Sequence, residues 1–123
     1  MTNTPDTADL VSPVDEAMQS FYAREFGDLP ESVWRPIWDV YIREVTGVFD
    51  DVRSAHDVAV RTYSDEILAA ADKGVNAERY RRTARIKWEK AGERIEYAKR
   101  SRLSTAQNRM DIALANARQE AQR

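Results

Sequence analysis

Three kinds of side chain in this sequence could do chemistry: one histidine, three spaced carboxylates and one run of cations. His56 is the only histidine, and an imidazole that binds metal or moves protons needs partners held beside it. The di-iron carboxylate bundles require a glutamate three residues before the histidine, whereas position 53 is Arg53. His56 is therefore read as a half-buried polar residue flanking a helical seam. Asp39, Asp50 and Asp57 would project to similar sides of one helix. Carboxylates do acid-base work in a pocket that shifts their pKa values, and these are expected on a solvated outer face. No Gly-rich phosphate loop, nucleophile elbow or zinc-ligand spacing occurs. The lack of cysteine excludes disulfides, thiolate nucleophiles and thiolate metal sites. The expectation is a protein that is not an enzyme and uses no cofactor or metal.

The cations are Arg79, Arg81, Arg82, Arg85 and Lys87, interleaved with Tyr80 and Trp88 and followed by Lys99, Arg100 and Arg102. Such charge density attracts a phosphate backbone without any sequence readout, so a nucleic-acid-binding accessory is one alternative. At 100° per residue, however, these side chains do not gather on one helical face. A second account needs no nucleic acid. Glu44, Asp51 and Glu66 can approach Arg109, Lys99 and Arg82 or Arg85 of a neighbouring helix, each exposed pair contributing about 0.2 to 1 kcal/mol. Together such pairs favour one register, and this reading is preferred.

The net charge of −2 conceals a division along the chain. Residues 1 to 78 hold 6 basic and 16 acidic side chains, and residues 79 to 123 hold 13 basic and 5 acidic. Arg outnumbers Lys by 15 to 4. With frequent Ala, Asp and Val, that ratio points to a GC-rich bacterial or bacteriophage genome.

The division falls at Asp72-Lys73-Gly74-Val75-Asn76, the one break in a long helical pattern. Gly74 is expected to end one helix in a left-handed conformation and Asn76 to cap the next. A link this short makes the flanking helices antiparallel neighbours, with facing positions summing to roughly 150. Before the turn, Ile37, Tyr41, Val45, Val48, Val52, Ala55, Ala59, Tyr63, Ile67 and Ala70 recur at three-and-four spacing. After it, Tyr80, Ala84, Trp88, Ala91, Ile95, Ala98, Arg102, Ala106, Met110, Ala113 and Ala117 do the same. In that register Trp88 meets Tyr63, Ala91 meets Ala59 and Ile95 meets Ala55. Gly47 interrupts the first seam, and a close helix crossing is expected there.

Upstream, Ser12-Pro13 with Asp15 and Glu16 reads as a helix start, and Gly27 as its end. Asp28-Leu29-Pro30-Glu31 reads as a second start, with a kink or fresh start where Pro36 removes a donor. Trp34, Trp38 and Tyr41 would meet Phe21, Tyr22 and Phe26 at the base of the pair. The expected architecture is all-α: a helix over about 13 to 26 packed on the base of a long antiparallel helical hairpin, a coiled-coil-like arm, with helices over about 30 to 72 and 77 to 121. Residues 12 to 123 would form a single helical domain and residues 1 to 11 a flexible tail.

No basic-then-apolar leader opens the sequence, and its longest apolar run, Ile67 to Ala71, cannot span a bilayer. A place in the cytoplasm or within an assembled particle is expected, with no membrane contact. A two-helix arm buries little surface and gains from a neighbour lying against it. The function expected is a protein-protein interaction or assembly component of a multi-subunit particle, such as a phage structure, through self-association or a larger complex. Trp34 and Trp38 at the base, with Val58, Ile86 and Tyr97 on the arm, are the candidate partner surface. A small acidic inhibitor or adaptor of a larger protein is the further alternative.

Overall fold

The computed structural model describes residues 13 to 123. The expected tail and the Ser12 cap lie outside these residues. Among them every regular element is helical: α1 spans Pro13–Phe26, α2 spans Glu31–Ala70, a 3₁₀ segment spans Ala71–Asn76 and α3 spans Ala77–Ala121. The helix ends carry charges that suit their macrodipoles. Asp15 and Glu16 sit in the first turn of α1, Glu78 in the first turn of α3, and Arg24 and Arg118 in the last turns of α1 and α3.

The α1–α2 link is fixed by backbone and charge. Leu29 N–H donates to the Phe26 carbonyl at 2.8 Å, and Val33 N–H donates to the Pro30 carbonyl at 2.9 Å. Pro30, in extended conformation, is the residue at the N-cap of α2, and no side chain caps that end. Asp28 was expected to be the cap. It turns instead to Arg118 of α3, whose Nη2 donates to Asp28 Oδ1 and to the Glu25 carbonyl, each at 3.1 Å. The guanidinium thus satisfies a carbonyl left open at the end of α1.

Gly47, Asn76 and Gly74 depart from expectation, and of the two outcomes expected at Pro36 the fresh start is absent. α2 runs through Pro36 as one helix with no fresh start at Arg35; the proline lacks one donor, and buried or half-buried Trp34 and Trp38 anchor the chain on either side of it. Gly47 marks no close crossing, because a Cβ there would meet nothing within 4 Å. Asn76 makes no capping bond, since the chain reverses before it. Gly74 has φ 57 and ψ −121, the first central position of a type II′ turn rather than a left-handed helix end.

The core lies where α1 meets the other two helices. Phe26, Leu29, Trp34 and Leu114 are buried, with Phe21, Tyr22, Trp38 and Met110 packed around them. Phe26 stacks on Trp34 with centroids 4.8 Å apart and planes at 15°. Phe21 meets Trp38 at 5.4 Å, and Arg35 lies over the Tyr22 and Trp34 rings at 5.0 and 4.5 Å. Aromatic and cation-π contacts of this kind each add about 0.5 to 1.5 kcal/mol beyond burial.

Beyond the core, α2 and α3 meet through pairs of residues far apart in sequence. Tyr41 donates to Gln107 at 3.3 Å, Glu44 pairs with Arg109 at 3.4 Å and Asp51 with Arg102 at 2.7 Å. Further along, Tyr63 lies 5.6 Å from Trp88 and Glu66 pairs with Lys87 at 3.7 Å. Only small or slender side chains are buried along this seam, Val48, Ala70, Ala84 and Ala106.

Candidate interaction surface

The chemistry-bearing residues stand apart. His56 is half-buried, while Asp39, Asp50 and Asp57 are exposed. No group of three potential metal ligands comes together among the described residues. The groups with displaced pKa values belong to ion pairs. Glu96 is held below its ordinary range chiefly by its hydrogen bond with Lys99, at 2.8 Å, and Asp28 chiefly by its hydrogen bond with Arg118.

The cations divide similarly. Arg81 pairs with Glu78 at 3.5 Å and Lys87 with Glu66. Arg79, Arg82 and Arg85 are exposed, and their three-residue spacing sets them within about 120° of one another around α3. Lys73 lies 5.2 Å above the Tyr80 ring.

The five candidate partner residues fall in three places. Trp34, at 8% exposure, belongs to the core, with Phe26 stacked on its ring, Tyr22 4.9 Å away and the Arg35 guanidinium 4.5 Å from its centroid. It is withdrawn from the surface, and Trp38 is half-buried beside it. Ile86 and Tyr97 are exposed, Tyr97 at 77%. They are 11 residues apart, about three turns, on the side of α3 opposite Trp88 and the seam.

Val58 lies elsewhere. It lines a groove of about 730 Å³ between α2 and α3, floored by Ala55, Ala59, Ala91 and Ile95 with Tyr63 and Trp88 at one end. A second hollow of about 280 Å³, nearer the core, is lined by Pro36, Val40, Tyr41, Glu44, Arg109 and Met110. Val40 and Val58 are 18 residues apart, five whole turns, so both hollows open on one face. Sequence reasoning missed Val40, although its distance from Val58 was the available signal. It also missed Ile42, Phe49 and Val60, exposed on the opposite flank of α2.

No helix among the described residues is long and apolar enough to cross a membrane. No protein-family model, curated protein or solved structure matches the chain.

Proposed function

We propose that this chain is a non-catalytic assembly component: one domain in which α1 packs on the base of a long antiparallel hairpin, whose arm docks other protein subunits in a multi-subunit particle, such as a phage structure or assembly intermediate. The carrying observation is that large apolar side chains stay exposed on several sides of the two long helices, including Ile42, Phe49, Val58, Ile86 and Tyr97. A pair of helices has no interior to receive them, and an arm that buries so little gains from a neighbour lying against it. Ile86 and Tyr97 form the surface for other subunits.

Mass determination of the complex recovered from the native host tests the reading. A particle of defined stoichiometry that loses this chain when Ile86 and Tyr97 are changed to Ser supports it. Recovery of the free chain alone overturns it.

Exposed Arg79, Arg82 and Arg85 outside any ion pair among the described residues favour a second reading, nucleic-acid binding along α3. Titration with duplex and single-stranded DNA at two salt concentrations decides it. Binding that weakens steeply with salt supports this reading, and no binding at low salt removes it.

A further inference from the structure

We infer that the face carrying the two grooves pairs with a second copy of this chain, arms pointing the same way, so that each α2 lies over the α3 of its partner. The inference rests on the assembly reading, and its partner is chosen by charge. The α2 wall of the two grooves carries Glu44, Asp51 and Glu66 and no cation. The α3 wall carries Lys87, Arg94, Lys99, Arg102 and Arg109 and no carboxylate. A face with one acidic and one basic wall is complementary to itself.

The symmetry follows from those signs. A two-fold axis along the arm sets the acidic wall of each copy on the basic wall of the other. An axis across the arm sets acid on acid and base on base. Only the first is isologous and electrostatically favourable. Arg94 stands near mid-groove outside any ion pair among the described residues, a cation free to meet the acidic wall of a second copy.

The dimensions fit as well. From Pro36 to Glu66 the face runs roughly 45 Å at 1.5 Å per residue, and two helices give it a width of about 20 Å. That footprint, on the order of 900 Å², matches the roughly 800 Å² per partner of a stable interface. Closing it would make a four-helix arm, with Val40 and Val58 entering an apolar interior.

The test uses the purified full chain. Sedimentation equilibrium across micromolar concentrations reads its mass. Val75, fully exposed at the turn, becomes the only cysteine in Val75→Cys and takes a spin label. The expected result is a dimer with labels on the order of 20 Å apart, two helix diameters. A monomer overturns the inference, and so does a dimer with labels roughly 70 Å apart, as arms in opposite directions require. Val40→Asp and Val58→Asp change exposed positions and should raise the dimer dissociation constant about tenfold or more; an unchanged constant in a folded variant also overturns it. A monomer that still enters a larger complex leaves the assembly reading standing, whereas a dimer that recruits no other subunit does the reverse.

Discussion

Two side chains hold the first helix to the rest, Phe26 by packing and Arg118 by charge. Phe26 is 1% exposed with an aromatic ring on several sides. Phe26→Ala should cost about 3 to 5 kcal/mol, read as a lower urea midpoint, because the cavity is lined by rigid rings. The Asp28 carboxylate, lowered from 3.8 by Arg118, contributes stability that is present above that value. The contribution is lost as pH falls through the lower value of the folded chain. In Asp28→Asn this acid step should vanish from the tryptophan fluorescence of Trp34 and Trp38, with looser docking already present at neutral pH.

The three helices differ in how legible they were. Periodicity placed Tyr63 opposite Trp88 and Glu44 opposite Arg109, because a seam at three-and-four spacing and a short turn leave little freedom of register. It placed Asp51 opposite Lys99 and Glu66 opposite Arg82 or Arg85, where Arg102 and Lys87 are found. Long basic side chains reach across from adjacent positions, so pairing within a turn is decided by rotamer rather than spacing. The Asp28 cap and the Gly47 crossing were misread for one reason. Each inference used local chemistry alone, whereas Arg118, 90 residues away, claims the aspartate and no neighbour approaches the glycine. Two glycine changes follow at this scale. Gly47→Ala, with open space around its Cβ, should raise stability by about 0.5 to 1 kcal/mol in thermal melts. Gly74→Ala, at φ 57, should lower it by about 1 to 3 kcal/mol.

At the scale of the whole molecule, the sequence announced its helices, its charge division and its aromatic base. It did not reveal which faces would be left open. Exposure depends on the rotation of each helix about its own axis, and Val58, Ile86 and Tyr97 therefore seemed one surface when they occupy two. The division of charge from α2 to α3 remains the most informative global feature. If it orders a dimer, sedimentation at high salt should show weaker pairing than at low salt.

The start of α2 and the end of α3 both lie at the aromatic core, through Trp34 and Leu114, and the Gly74 turn lies at the other end. A molecule pulled apart by its ends would therefore resist first at Phe26, Trp34 and Leu114. Beyond them it would open like a zipper, one rung at a time past Glu44–Arg109 and Asp51–Arg102. Tension would meet one early barrier and then only small ones, so the chain would hold a fixed length under light load and pay out abruptly beyond a threshold.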